Sequence, residues 1–262
     1  MSRYIEHYEI LSHDVDSNNN AKPSVIVRLL QETANHQMRD RGPTYYELFN
    51  QGKSYILVRM KCEIFESLHP YDKVDVATWT GGNKGATFKR SYLMTRDGES
   101  VVKGYSEWAV VDIKTGTICR VNEIDSSNYE TDEHLEMAIP TKFHIPKELD
   151  LEYCGERHIE YTDCDLNLHM NNTLYHDMIW NHIPEAEKKV LTGFTMRFMK
   201  EAALGKTLEI SRGKSLELIP GQGDETGSEE SWFFKTFVDS AVDGIQEKYT
   251  NIEMLLNCKR ID

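Results

Sequence analysis

The sequence has little that would anchor it in a membrane or staple it with disulfides. No apolar run approaches the roughly 20 residues a membrane-spanning helix needs. The opening MSRYIEHYEI has neither a signal-peptide core nor the Arg- and Ser-rich character of a transit segment. Five cysteines, Cys62, Cys119, Cys154, Cys164 and Cys258, are odd in number and scattered, with no CxxC pair. This spacing argues for reduced thiols and against a disulfide framework or a zinc site. The expectation is a cytoplasmic protein without a metal or other cofactor. Basic residues are outnumbered 30 to 43, for a formal charge of −13. That balance disfavours nonspecific binding to nucleic acid or to an anionic membrane, and an acidic partner would have to meet a local basic patch.

What is there is a globular composition, 39% hydrophobic and 28% charged, in 262 residues. That length is comfortable for two domains of ordinary size. The densest chemistry lies in TDCDLNLHMNNTLYHDMIWNHIP, from Thr162 to Pro184. It gathers Asp163, Asp165, Asn167, His169, Asn171 and Asn172 ahead of Leu174, Tyr175, Met178 and Ile179, which have helical spacing. Asn171 or Asn172 suits an N-cap, and Pro184 suits the helix end. If the segment is extended, Asp165, Asn167 and His169 share a face. Backbone N–H groups at the helix start would favour an oxygen gaining negative charge, which hydrolysis of an acyl bond requires. Taken singly, each residue is also what an Asx turn or a cap would use; it is the set that reads as a site.

The chain has an internal echo. Residues 6–38, EHYEILSHDVDSNNNAKPSVIVRLLQETANHQM, give a strand, an Asp/Asn loop and a helix with Pro23 in its first turn. Laid on the later segment, Asp14 falls on Asp163, Asp16 on Asp165, Asn18 on Asn167 and Asn20 on His169. Only the second copy has the histidine. After each helix come runs rich in β-branched and aromatic residues: Ser54–Phe65, Lys73–Trp79, Thr87–Thr95 and Ser100–Asp112, then Gly193–Phe198, Thr207–Arg212, Trp232–Val238 and Ile245–Leu256. Asp97-Gly98 and Asp243-Gly244 are hairpin signals. One long helix against a mainly antiparallel sheet, twice over, is an α+β arrangement made by duplication. The expected boundaries are a first domain over 1–125, a polar linker over 126–152 and a second domain over 153–262. Gly221–Ser231 reads as a solvated loop.

With these motifs in order, the chain resembles the acyl-ACP thioesterase family of plant plastids and bacteria. The match rests on Asp165-x-Asn167-x-His169-x-Asn171-Asn172-x-x-Tyr175, on Leu30-Gln-Glu-Thr-Ala-Asn-His36, on Val58-Arg-Met60, on Asp72–Trp79 and on Trp108, and runs from about Tyr8 to Leu256. The resemblance implies a tandem of hotdog domains, each a curled antiparallel sheet around a central helix. It implies hydrolysis of the thioester between a fatty acyl chain and the phosphopantetheine arm of acyl carrier protein. It carries the catalytic role onto Asp165, Asn167, His169 and, in Met196-Arg-Phe-Met-Lys-Glu-Ala202, onto Glu201. Plant members commonly have cysteine directly after that glutamate; here it is Ala202. A cysteine nucleophile at that position is impossible, so a water activated by a carboxylate is the expected mechanism, with Glu201 assigned as the activating group, direct attack by Glu201 as the lesser alternative, and spacing alone not separating Glu201 from Asp165 as the base. Cys164 is the remaining thiol beside the motif.

Glu32, His36, Arg59, Asn171 and Asn172 are candidates for substrate contact, with satisfied polar groups between helix and sheet as the plain alternative for Glu32 and His36. Lys84, Lys89 and Arg90, in Asn83–Arg90, are candidates for a basic surface facing the acidic carrier protein, as are Arg39 and Arg41. A monomer built as a pseudo-dimer of hotdogs, or a homodimer, is compatible with the sequence. An acyl-CoA thioesterase of the same fold and a catalytically silent acyl- or carrier-binding module remain as alternatives.

Overall fold

The computed structural model describes residues 3–81, 85–215, 229–242 and 245–261. The chain divides into two compact units, Met1–Ala21 with Val25–Met137, and Lys22–Ser24 with Ala138–Asp262.

The first unit carries β1 (Tyr4–Glu9), α1 (Pro23–Arg41), α2 (Tyr45–Asn50), β2 (Lys53–Ile64), β3 (Lys73–Thr80), β4 (Thr87–Arg96) and β5 (Glu99–Asp112). The strands lie in the order β1-β3-β4-β5-β2, with antiparallel pairings throughout. Asp97 and Gly98 both take positive φ, 53° and 85°, which makes the tight β4–β5 turn match the twist of its strands. In α1, Val25, Ile26, Val27, Leu29, Leu30 and Ala34 are buried while Asn35 and Arg39 are exposed. This is the one-sided stripe that lets a helix lie on a sheet. Arg39 and Arg41 complement the dipole in its last turn. The short α2, absent from the sequence expectations, starts at a capping box in which Thr44 and Glu47 satisfy each other's backbone N–H.

The second unit carries β6 (Glu152–His158), α3 (Leu174–Trp180), β7 (Lys189–Phe198), β8 (Thr207–Lys214), β9 (Glu229–Val242) and β10 (Ile245–Arg260). Its strand order, β6-β8-β9-β10-β7, repeats that of the first unit element for element. The expected hairpin turn Asp243-Gly244 and most of the expected loop Gly221–Ser231 lie outside the described residues. Two helix expectations need correction. The second helix is one of seven residues, against nineteen in α1. Pro184 disfavours helical geometry at the residue before it, and the chain leaves the helix at Asn181 through turns closed by His182 and Ile183. The N-cap is Thr173, without a side-chain cap bond; Asn171 spends its carbonyl on an Asx turn instead, accepting from Thr173 N (3.0 Å) and Thr173 Oγ1 (2.8 Å).

Residues 126–150 form no helix or strand but are packed along their course. Tyr129 and Ile139 are buried, and the Glu133 carbonyl accepts from Trp79 Nε1 at 2.8 Å. Packing of α1 on its sheet depends on one small residue. A Cβ at Gly104 on β5 would lie 2.9 Å from Leu30 Cδ1 and 3.2 Å from Tyr92 Cβ, both fully buried. Gly104→Val is therefore expected to lower stability by about 1–3 kcal/mol. The check is urea denaturation, with Leu30→Ala in the same chain giving back part of the loss.

Candidate active site

The site begins with a turn rather than an extended strand. Asp165 N–H donates to His169 O (2.9 Å) and Leu168 N–H to Asp165 O (3.0 Å), with Leu168 at φ 59°. Asp165 Oδ1 accepts from Asn167 N at 2.8 Å. The alternation expected to place Asp165, Asn167 and His169 on one face is replaced by a closed loop whose geometry the Asp165 carboxylate holds from within. Before it, Asp163 is buried and bonded to Glu160 N (3.0 Å) and Arg157 (2.6 Å).

The first unit contains the same loop, with its backbone bonds and its two Asp-to-backbone bonds repeated, while the arginine on Asp14 is Arg28 of α1. Asp14 accepts from Leu11 N, Asp16 N donates to Asn20 O (2.9 Å), Asn19 N to Asp16 O (3.1 Å), and Asp16 Oδ1 accepts from Asn18 N (2.8 Å); Asn19 has φ 60°. A second stretch is duplicated as well. Met170 N donates to Ala202 O and Gly205 N to Ile159 O; Ala21 N donates to Leu68 O and Tyr71 N to Ile10 O. These bonds align 65–72 with 199–206, so Ser67 stands in the first unit where Glu201 stands in the second, and Asn20 where His169 stands. The scaffold is doubled, and His169 and Glu201 occur in one copy.

In the second unit, His169 Nε2 lies 3.4 Å from Glu201 Oε2, on side chains 31% and 54% exposed. A backbone bridge between His169 and Ala203 and the Leu204 N–Leu168 O bond (3.0 Å) carry the pair. The pair is open to water. Asp165 shares the neighbourhood. Burial, chiefly, pushes the Tyr175 phenol up; the Asn251 amide opposes this, and the negative charges of Asp165 and Glu201 add to it. Both carboxylates therefore bear on one hydroxyl. Cys164 donates weakly to Glu160 O (3.4 Å), and desolvation together with Asp163 and Asp165 holds its thiol up. That is the reverse of what a thiolate nucleophile needs.

The remaining candidates are distributed as follows. Asn171 makes the Asx turn, and Asn172, half-buried, lies within that turn just ahead of α3. Glu32 and His36 sit in the first unit, with His36 Nε2 3.2 Å from Glu32 and Nδ1 3.2 Å from Glu6. Arg59 pairs with Glu107 at 2.6 Å. Lys84 lies outside the described residues. Arg90 is corrected: it is 7% exposed, bonded to Gln37 and Thr78 and set over the Tyr129 ring, so its charge is turned into the unit rather than toward a partner. Lys89, its neighbour on β4, is half-buried. Arg39 and Arg41 are exposed, the latter paired with Glu130.

With this geometry in place, comparison with known proteins is decisive. Residues 2–127 match the acyl-ACP thioesterase N-terminal domain and residues 146–253 the acyl-ACP thioesterase C-terminal domain. The chain belongs to the acyl-ACP thioesterase family. Among curated relatives, a chloroplastic acyl-[acyl-carrier-protein] hydrolase of Cuphea viscosissima is 24% identical over 247 residues, covering 86% of this chain and 57% of the relative. The chain spans little more than half the length of the curated relatives it matches. Among solved structures, an acyl-ACP thioesterase from Bacteroides thetaiotaomicron superposes with a TM-score of 0.75 at 19% identity, covering 97% of each chain. The 12:0-ACP thioesterase from Umbellularia californica superposes at 0.79 and 14% identity, covering 99% of this chain and 94% of that one. The fold of the family member described here is thus the α+β tandem hotdog.

Two features of the site have no place in the sequence reading. Asn251 and Thr236, on β10 and β9, form a buried network with Tyr175 beneath the Lys200–Glu201 turn. The signal available was an Asn at the position aligned with Val101 in the first copy. His176 on α3 is fully buried against Phe194, with Nδ1 3.2 Å from Thr173 O and Nε2 unbonded.

Burial holds the His176 imidazole down to about 4. Between that value and 6.5 the unfolded chain binds a proton that the folded one refuses, so stability falls as pH drops through this window. His176→Val, after Val27 at the matching place in α1, is expected to remove about 3 kcal/mol of this loss between pH 6.5 and 4. Urea denaturation across that range measures it. Leu168 holds a left-handed conformation that Asn adopts at less cost. Leu168→Asn, copying Asn19, is expected to raise stability by about 1 kcal/mol, read as a higher denaturation midpoint.

Proposed function

We propose that this chain hydrolyses the thioester of fatty acyl-[acyl carrier protein] to free fatty acid and carrier protein. The reading is supported by the His169–Glu201 pair, held at 3.4 Å on two paired loops in the unit that matches the family's C-terminal domain. Glu201 activates water for attack on the thioester carbonyl. A thioester is poorly stabilised by resonance, so no covalent intermediate is required. His169, the shared neighbour of water and carbonyl, polarises the oxygen that gains charge; such a donor is worth roughly 2.7–4 kcal/mol at the transition state. Asp165 keeps the loop closed through Asn167 N and adds a second negative charge beside the water. Asn167 positions water or substrate through its amide. Asn171 and Asn172 shape the approach to α3. The N–H groups of Thr173 and Leu174 are already engaged by Asn171, leaving the side chains of the loop to carry the oxyanion.

The carrier is a small acidic protein, met by basic groups such as Arg39 and Arg41; Lys89 and Lys84 remain assigned to that surface and Arg90 does not. The acyl-carrier thioester is preferred over the coenzyme A thioester on the family match along both halves of the chain.

Purified protein given a panel of acyl-carrier and acyl-CoA thioesters, with released acids identified by mass spectrometry, tests both points. Glu201→Gln and His169→Ala are expected to lower kcat at least 100-fold, and Asp165→Asn at least tenfold, magnitudes typical of general-base and oxyanion groups. Near-normal turnover by Glu201→Gln would reject the mechanism. Equal kcat/KM on both thioesters would reject the carrier preference.

A further inference from the structure

The buried network beneath the Lys200–Glu201 turn is built around a β-bulge. Thr250 pairs with Phe237 and Glu253 with Lys235, so Asn251 and Ile252 together face Thr236 alone. Both bulged residues turn inward and are 0% exposed. The Asn251 carbonyl accepts from Met199 N (2.9 Å) and Lys200 N (3.2 Å). Its side-chain amide donates to Lys200 O and to Tyr175 Oη (3.2 Å), while its Oδ1 accepts from Thr236 Oγ1 (2.8 Å). The Lys200 carbonyl lies in the same planar peptide as the Glu201 N–H. Asn251 thus holds Lys200 at its N–H and at its carbonyl, and the second of these bonds fixes the plane from which the Glu201 side chain departs toward His169.

The first unit provides the comparison within the same chain. β5 is bulged at the equivalent place: Met94 pairs with Val102 and Thr95 with Ser100, leaving Val101 extra. The Val101 carbonyl accepts from Phe65 N at 2.9 Å, as that of Asn251 does from Met199. Met94 stands where Thr236 stands, Val101 where Asn251 stands and Ile26 on α1 where Tyr175 stands on α3, and all three are buried. The fold closes at this point with no polar side chain at all. An apolar trio is the safer solution, since a buried polar group costs free energy unless every partner is met. The polar trio occurs in the copy that carries His169 and Glu201, and the apolar trio in the copy that carries Asn20 and Ser67.

We propose that Asn251, held by Thr236 and Tyr175, is a positioning residue for Glu201. It touches neither substrate nor water; it sets the carboxylate's backbone in the register the reaction needs. The inference rests on the hydrolytic reading of the site given above.

The test uses the whole chain, steady-state and single-turnover hydrolysis of acyl-carrier thioester, and urea denaturation. Asn251→Val is expected to lower kcat on the order of 10- to 100-fold, the scale of a small misplacement of a reacting group, with KM changed less than about twofold. Measured with enzyme in excess, the same substitution is expected to cost little in a Glu201→Gln background, because its effect passes through that carboxylate. Tyr175→Ile, Thr236→Met and Asn251→Val together copy the first unit. This triple variant is expected to recover stability lost by Asn251→Val while kcat stays low. Recovery of kcat along with stability, or equal losses from Asn251→Val with and without Glu201, would show a purely structural role and overturn the proposal. Loss of turnover in Glu201→Gln with normal kcat in Asn251→Val overturns this inference alone. Normal turnover in Glu201→Gln removes the reading of the site and this inference with it.

Discussion

The structure depends on the pairing of two loops across the edge of the second unit, through Met170 N to Ala202 O and Leu204 N to Leu168 O. Backbone donors withdrawn from water must find acceptors, and here each loop supplies the other's. The consequence is a fixed register. His169 is opposite Ala203, and Glu201 comes within 3.4 Å of the imidazole from a position 32 residues further along the chain by the numbering. A slip of one residue would keep the bonds' chemistry and lose the site. Ala202 suits this arrangement: it is buried, and a larger side chain there would have to be accommodated between the loops.

Because the first unit keeps the same loops, their geometry is a property of the scaffold and not of catalysis. Asp14 and Asp163, Asp16 and Asp165, Asn18 and Asn167 do equivalent structural work in the two copies. Of the motif's polar residues, then, several hold the turn; His169, Asn171 and Asn172 stand where the first copy has Asn20, Lys22 and Pro23, and outside the motif Glu201 stands where it has Ser67. The bond that the Asp165 carboxylate makes to Asn167 N belongs to the loop.

Much of this was legible in the sequence. The echo between residues 14–20 and 163–169 is visible by eye, and the strand runs follow from their β-branched and aromatic content. The pairing of Glu201 with His169 came through family resemblance, because nothing in local spacing joins residues so far apart. The turn was missed because Leu168 carries none of the usual signals for positive φ; its counterpart Asn19 does. The length of α3 was overread because Met178, Ile179 and Ile183 keep apolar spacing beyond the point where the turn chemistry before Pro184 takes over. Arg90 looked like a surface charge because a basic cluster gives no hint of which face of a strand each member occupies, and the pleat turns this one inward to Gln37. Asn251 was passed over because β10 carries polar residues along its length, Thr250, Glu253 and Asn257 among them, and spacing does not tell which of them a bulge turns inward.

The bulge shared by β5 and β10 shows one backbone joint sealed in two materials. Met94, Val101 and Ile26 seal it with hydrocarbon, while Thr236, Asn251 and Tyr175 seal it with an amide between two hydroxyls. The hydrocarbon version tolerates small shifts of its neighbours, whereas the polar version keeps its bonds only in one arrangement and so transmits that arrangement to the chain above it.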